Sequence, residues 1–250
     1  MTKIILSGCN GAMGKVTSHC VSERSDFEIV AGINRHKSSG QPYPVYSSPD
    51  EIGKKADVLI DFSNPTLLDS LLKYGKETKT PLVLCTTGYS DEQTQAVKAA
   101  ALEIPIFYSC NMSMGINLLL ELARKAERVL GNGFDVEVIE AHHNQKIDAP
   151  SGTALMIASA VADEAGRQME YVYDRHARKE KRTASEIGIH SIRGGTIVGE
   201  HKVIFAGPHE VLTIAHSAQS KEIFANGALN AAEFLLGQGS GLYTMKDLIQ

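Results

Sequence analysis

No segment of this 250-residue chain approaches the run of about 20 apolar residues that a helix needs to cross a bilayer. The N-terminus enters a strand-like pattern without the longer apolar stretch and cleavage site of a secretory leader. The four cysteines, Cys9, Cys20, Cys85 and Cys110, form no CxxC pair and no disulfide-scaffold spacing. Their scatter fits a reducing compartment, so a cytoplasmic protein is expected. Excess basic charge is lacking too: Lys and Arg are dispersed and the net charge is −4. The densest basic run, Arg175-His-Ala-Arg-Lys-Glu-Lys-Arg182, is interrupted by a glutamate and reads as a solvated loop. Neither nucleic acid nor a membrane is expected as a partner. Internal repeats and low-complexity tracts are missing as well. What remains is an ordinary globular composition, 43% hydrophobic and 22% charged, on a chain long enough for one or two domains.

Through residue 110 the chain alternates between two patterns. Apolar strand-like runs at 3–7, 27–33, 57–61, 81–85 and 105–108 are separated by helical stretches near 12–23, 64–78 and 90–102. Such alternation predicts an α/β fold with a Rossmann-like, doubly wound parallel sheet. After Asn111 the pattern changes. A helix over about 114–130 precedes alternating segments at 135–140, 187–193, 200–205 and 211–217. Turns such as Ala206-Gly-Pro-His209 between them predict a second, α+β domain at about 112–218, with a mixed, mostly antiparallel sheet. The last helix, 222–236, has no strand after it in this reading and returns to cover the first domain.

Chemistry concentrates in Glu140-Ala-His-His-Asn-Gln-Lys-Ile-Asp-Ala-Pro-Ser-Gly-Thr-Ala-Leu155. A helix start presents unpaired N–H groups and a positive dipole end, so Pro150-Ser-Gly-Thr153 suits an anion. Lys146 adds a full positive charge, and a histidine can exchange a proton near neutral pH. The alternative is a polar strand-to-helix loop with incidental histidines. Neighbouring residues of a strand point to opposite faces, so His142 and His143 cannot both address one atom unless the strand ends at Ala141. Arg193, in the glycine-flanked turn Arg193-Gly-Gly195, either closes over a substrate or sits in a surface salt bridge.

At the other end, Gly8-Cys-Asn-Gly11-Ala-Met-Gly14 follows the first strand and opens the first helix. Glycines there permit a tight turn and close backbone approach to a pyrophosphate. The spacing is GxxGxxG rather than GxGxxG, so a ligand-free turn stays open as a second reading. The second strand runs out into Asn34-Arg35-His36-Lys37 without the acidic residue that usually holds a ribose 2′-hydroxyl. Arg35 can fork onto a 2′-phosphate, with His36 and Lys37 adding positive field, unless the segment is an exposed basic turn. This favours NADPH, and NADH remains open because Asn34 can hydrogen-bond a ribose hydroxyl. Cys85-Thr-Thr-Gly88 and Ser109-Cys-Asn-Met112 follow later strands, where ligands of open α/β sheets bind, so both are expected to border the nicotinamide. Thr86 and Thr87 read equally well as helix caps.

Taken together, these motifs identify the chain as resembling the 4-hydroxy-tetrahydrodipicolinate reductases, NAD(P)H-dependent enzymes of lysine biosynthesis. The resemblance spans nearly the whole length. It includes Asn111-Met-Ser-Met-Gly115, Arg193-Gly-Gly-Thr-Ile-Val-Gly-Glu-His201, Phe224-Ala-Asn-Gly227 and Gly241-Leu-Tyr-Thr-Met-Lys-Asp-Leu248. The resemblance implies a dinucleotide-binding domain of residues 1–111 plus 219–250, and a substrate-binding and oligomerisation domain, 112–218, supporting a homotetramer. It implies a small dicarboxylate substrate, with His142 as proton donor and acceptor and Lys146 as proton donor. His143, Ser151, Gly152 and Thr153 would contact that substrate. Gly8, Cys9, Asn10, Gly11, Ala12, Met13, Arg35, Cys85, Thr86, Thr87, Ser109, Cys110, Asn111 and Met112 would contact the dinucleotide. Three positions depart from the family pattern: Ala12 where many members have arginine, Cys85 where glycine is common, and Asn34 where some have an acid.

Other chemistries fit less well. Cys110 beside Asn111 could suggest a nucleophilic thiol, but the family pattern uses this loop for the cofactor. His142, His143, His190, His201 and His216 have no recognised metal-ligand spacing, and a substrate-binding lysine argues against a nearby cation, so no metal is expected. A redox-sensing regulator that binds NAD(P)H without turnover would show a degraded His/Lys block or an added DNA-binding module. Neither is present.

Overall fold

The computed structural model describes residues 1–35, 40–53, 55–176 and 178–249, so the His36 and Lys37 contributions expected beside Arg35 lie outside the described residues. The chain folds into two compact units, Met1–Met114 with Lys221–Gln250, and Gly115–Ser220.

The first unit begins with β1 (Thr2–Ser7), α1 (Ala12–Ser22), β2 (Phe27–Ile33) and β3 (Val45–Tyr46). It continues with β4 (Val58–Asp61), α2 (Leu68–Thr78), β5 (Leu82–Leu84), α3 (Asp91–Ala101) and β6 (Pro105–Tyr108). The C-terminal segment adds α6 (Glu222–Leu235), β12 (Gly241–Tyr243) and α7 (Met245–Leu248). Its seven strands lie in the order β12-β6-β5-β4-β1-β2-β3, and every pairing is parallel. The apolar run of β1 follows from its central place. Ile4 and Leu6 pack with α1 and α6 residues such as Cys20 and Leu229, while Ile5 packs on the opposite face with α2 and α3 residues such as Leu71 and Val97. Strand order reverses between β1 and β4, which places the ligand crevice of such sheets at their carboxyl ends.

Two strands escaped sequence reading here. β3 has two residues, and β12, with three, extends the sheet beyond β6 where no strand was expected after the last helix. Both are too short for a periodic pattern, and β12 owes its existence to the exposed edge of β6.

The second unit contains most of α4 (Met114–Leu130), then β7 (Asp135–His142), α5 (Gly152–Ala165), β8 (Glu170–Val172), β9 (Glu186–Arg193), β10 (Gly199–Ala206) and β11 (Val211–Ala218). Its sheet runs β11-β10-β7-β9-β8. Pairings β10–β11 and β10–β7 are antiparallel, whereas β7–β9 and β8–β9 are parallel. The sheet is mixed as expected, without the antiparallel majority. The long connection through α5 brings the chain back alongside β7 in the same direction, a crossover that alternation alone does not reveal. Val138, Ile189, Val203 and Phe205 meet Leu119, Ala123, Ile157 and Val161 of α4 and α5 in one core.

The basic run at 175–182 is less solvated than its composition suggests. Arg182 bonds Asp135 at 2.6 Å and Glu137 at 3.0 Å, and Arg175 and Arg178 pair with Glu186, which is nearly buried. Asp135 and Glu137 lie on β7, 47 and 45 residues before Arg182, so local composition could not announce them.

Candidate active site

In the first unit, β1 turns through Gly8 into α1. Gly8 has φ +77°, and a Cβ there would lie 2.5 Å from the Phe62 carbonyl oxygen. At Gly14 a Cβ would lie 2.2 Å from the Gly8 carbonyl oxygen. Only glycine lets the helix start this close to the strand. The N-cap of α1 is Gly11, which supplies no side-chain cap, so the positive end of the helix is left for another acceptor. Gly8, Gly11, Asn34 and Arg35 line one cavity of about 470 Å³ with Phe62 and Ser63. The lining suits a nucleotide phosphate: Gly8 and Gly11 leave the backbone bare, and Arg35 stands just beyond β2.

The remaining cofactor candidates lie near the same carboxyl edge of the sheet but differ in what they present. Cys9 and Cys85 are buried, and burial pushes both thiols up. Asn10 is half-buried, Ala12 is exposed, and Met13 packs against the core. Thr86 donates its hydroxyl to the buried Asp61 at 2.6 Å, while Thr87 is exposed. The cap of α3 is Ser90, in a capping box with Gln93, which removes capping as the role of either threonine. Ser109 and Asn111 close a tight turn, with the Ser109 hydroxyl donating to the Asn111 carbonyl at 2.8 Å. Cys110 is exposed beside the Tyr108 hydroxyl, and Met112 is buried.

In the second unit, β7 extends through His142, so Glu140 and His142 share one face and His143 is the first residue beyond the strand. The following loop is pinned to the turn after β9. Gly194 N–H donates to the His142 carbonyl at 2.9 Å, and Asn144 N–H donates to the Gly195 carbonyl at 3.2 Å. Lys146 Nζ lies 2.8 Å from Asp148 Oδ1, which holds the Asp148 carboxyl below its usual range. α5 begins at exposed Gly152 and half-buried Thr153. Ser151 behaves differently. Its hydroxyl caps Ala154 N–H at 3.2 Å and lies 3.0 Å from His201 Nε2, and its own N–H donates to Glu140. Ser151 therefore builds the helix start rather than reaching outward.

Arg193 sits in a salt bridge, but with a buried acid rather than a surface one. It forks onto Glu140, with Nη1 2.8 Å and Nη2 2.7 Å from the two carboxylate oxygens. Both contacts are charge-assisted and reach a carboxylate that is fully buried. Burial works to raise the Glu140 carboxyl, but Arg193, His142, Ser191 and the Ser151 N–H outweigh it and hold the group down to about 2. His201 is pushed down to about 4, chiefly by burial and next by the charge of His142.

These two shifts set an acid-stability profile. The unfolded chain protonates its histidine near 6.5, the folded chain only near 4, so stability falls as pH drops through that interval. Glu140 takes up its proton near 4.5 when unfolded and near 2 when folded, adding a second loss at lower pH. Each step amounts to about 3 kcal/mol at full extent. Urea midpoints should therefore decline from pH 6.5 downward, and His201→Asn should flatten most of the upper part, with His216, also pushed down by burial, keeping the rest. A wild-type midpoint unchanged between pH 7 and pH 4.5 would contradict this.

Comparison with known proteins bears directly on both candidate sites. Residues 2–112 match the family described as dihydrodipicolinate reductase, N-terminus, and residues 115–249 match dihydrodipicolinate reductase, C-terminus. The chain belongs to the dihydrodipicolinate reductase family. The 4-hydroxy-tetrahydrodipicolinate reductase of Caldanaerobacter subterraneus subsp. tengcongensis is 53% identical, over 100% of this chain and 99% of that protein. The Clostridium novyi protein of the same name is 48% identical over the same shares. A dipicolinate-bound dihydrodipicolinate reductase from Paenisporosarcina sp. TG-14 superposes with a TM-score of 0.82 at 26% identity, covering 98% of this chain and 97% of that one.

Within this dihydrodipicolinate reductase chain, two family motifs find a packing explanation. A Cβ at Gly115 would lie 2.6 Å from the His216 ring, and one at Gly227 would lie 1.8 Å from the Met112 carbonyl oxygen. Sequence reading missed Glu140 and His201 as parts of the site. Glu140 carried a signal, standing two residues before His142 on the same strand face. His201 stood only at the end of a family motif, and it is the antiparallel register of β10 against β7 that sets it opposite Glu140.

Proposed function

We infer that the chain reduces 4-hydroxy-tetrahydrodipicolinate to tetrahydrodipicolinate with a nicotinamide dinucleotide, in the diaminopimelate route to lysine. The observation that carries this is the arrangement of His142, Lys146 and the α5 start in one unit of a chain whose full length matches reductases of that name. The dinucleotide, when bound, supplies the hydride. The chain must hold the substrate, balance its charge and move protons. Lys146 offsets the carboxylates of the substrate and donates a proton from Nζ. The first turn of α5, at Gly152 and Thr153, receives one carboxylate, and His143 contacts another edge of the ring. His142 acts as general acid and base.

Gly8 to Met13, 85–87 and 109–112 would hold the dinucleotide largely through backbone groups, with Arg35 on a 2′-phosphate. NADPH is the favoured cofactor, since Arg35 and Asn34 share the cavity and no acid stands with them at the end of β2. A homotetramer built on the second unit is supported by exposed apolar side chains on its strands, among them Ile192 and Val211, which are 51% and 63% exposed. A cytoplasmic setting fits the reduced cysteines.

The test is NADPH oxidation with substrate made in situ from pyruvate and aspartate semialdehyde by the preceding synthase. Turnover with NADPH should exceed that with NADH. Arg35→Ala should raise KM for NADPH about tenfold and leave KM for NADH unchanged, as expected for loss of one charge-assisted contact. No rate above background with either cofactor would overturn the assignment.

A further inference from the structure

Three residues packed around His142 have no role in the acid–base reading: Glu140, Arg193 and Gly199. Glu140 is fully buried and receives His142 Nδ1 at 2.6 Å, both Arg193 Nη atoms, and Ser151 N–H at 3.1 Å. A carboxylate already accepting from a guanidinium and a backbone amide has no proton to give. The Nδ1 of His142 must then carry the hydrogen, which leaves Nε2 as the nitrogen that gains and loses one. Arg193 Nη2 also donates to the Asp148 carbonyl at 2.6 Å, so one guanidinium ties the Glu140 carboxylate to the loop that bears Lys146. The His201 ring stands edge-to-face against His142, with centroids 5.2 Å apart, and limits its rotation.

On the far side of the imidazole stands Gly199, which presents no side chain to it. A Cβ at Gly199 would lie 3.1 Å from His142 Nε2 and 3.5 Å from Cδ2, and would meet no other heavy atom within 4 Å. Glycine is not needed at 199 for a positive φ. What it provides is room in front of one ring nitrogen.

We propose that Glu140, anchored by Arg193, and Gly199 are positioning residues of the acid–base site: Glu140 fixes His142 as the Nδ1–H tautomer aimed through Nε2, and the missing side chain at 199 keeps the space at Nε2 open. The pair divides the imidazole into a structural nitrogen and a working nitrogen. Arg193 extends the same constraint to Lys146, so the two proton-handling groups share one anchor. The proposal rests on the reading of His142 as general acid and base.

Nitrogen-15 NMR of full-length protein labelled at histidine reads the tautomer directly, with the His142 resonances assigned by their loss in His142→Asn. The expected spectrum at neutral pH shows a protonated Nδ1 and an unprotonated Nε2, and the reverse pattern overturns the proposal. In the coupled assay, Glu140→Gln should lower kcat by about 100-fold, the scale of general acid–base catalysis, without changing KM for NADPH. Glu140→Asp, which keeps the charge, should recover part of that loss. Gly199→Ala should lower kcat about tenfold with KM for NADPH unchanged, because its methyl group meets only the His142 ring. Should Glu140→Gln fail to fold, the wild-type spectrum and Gly199→Ala still decide the matter. If His142→Asn keeps wild-type turnover, the acid–base reading itself falls. If His142→Asn is inactive while Gly199→Ala and soluble Glu140→Gln turn over normally, only the positioning claim falls.

Discussion

Lys146→Ala should lower kcat by about 100- to 1,000-fold while leaving the urea midpoint and KM for the dinucleotide close to wild type. The small stability effect follows from the environment of Lys146. Its side chain is partly exposed and its ion pair with Asp148, which is 59% exposed, is of a kind worth at most about 1 kcal/mol. The catalytic effect should be large because removal of the ammonium takes away the proposed proton donor and also leaves Asp148 negative beside the proposed dicarboxylate site. Two further variants separate these contributions. Lys146→Arg keeps the charge but gives up a proton far less readily, so KM for the substrate should stay near wild type and kcat should not. Asp148→Ala should be mild, since the aspartate only steadies the lysine. Wild-type turnover in Lys146→Ala would remove Lys146 from the mechanism.

Gly14→Ala should cost about 3 kcal/mol or more, and it should abolish dinucleotide binding where the protein survives. The added Cβ would meet the Gly8 carbonyl oxygen at 2.2 Å and the Cys9 Cα at 2.6 Å. Both are backbone atoms of the turn, so no side chain can swing aside. α1 would have to retreat from β1, loosening Cys20 and Val21 in the core and pulling the helix start away from the phosphate position. Gly53→Ala is the control, because a Cβ there meets nothing within 4 Å and should change stability by no more than about 0.5 kcal/mol. Equal urea midpoints for the two variants would refute the steric argument.

Much of this was readable in the chain itself, for identifiable reasons. The parallel sheet announces itself because β1, β4 and β5 are buried on both faces and read as unbroken apolar runs. His142, Lys146 and the α5 start are legible because they are contiguous, so their proximity needs no tertiary knowledge. Arg193 was not. Its partner Glu140 lies 53 residues away on the neighbouring strand, and only the parallel β7–β9 register brings them together. The same limit hid the His201–Ser151 contact, 50 residues apart, and the pairing of the 175–182 run with acids on other strands. Local pattern reports periodicity and caps. It does not report which strand lies beside which.

The place of α6 within the first unit has a consequence for biosynthesis. Ala225, Ala228, Leu229, Ala231, Ala232 and Leu235 are fully buried in the core that contains Ile4 and Leu6. When the ribosome has made the first 114 residues, that face of the sheet is still bare, and its cover is more than a hundred codons away. The second unit, by contrast, is one unbroken stretch and has all its parts as soon as Ser220 emerges. The half of the protein that begins first is therefore completed last, and a nascent chain stalled within α6 would display a hydrophobic sheet face to the translation machinery and its chaperones.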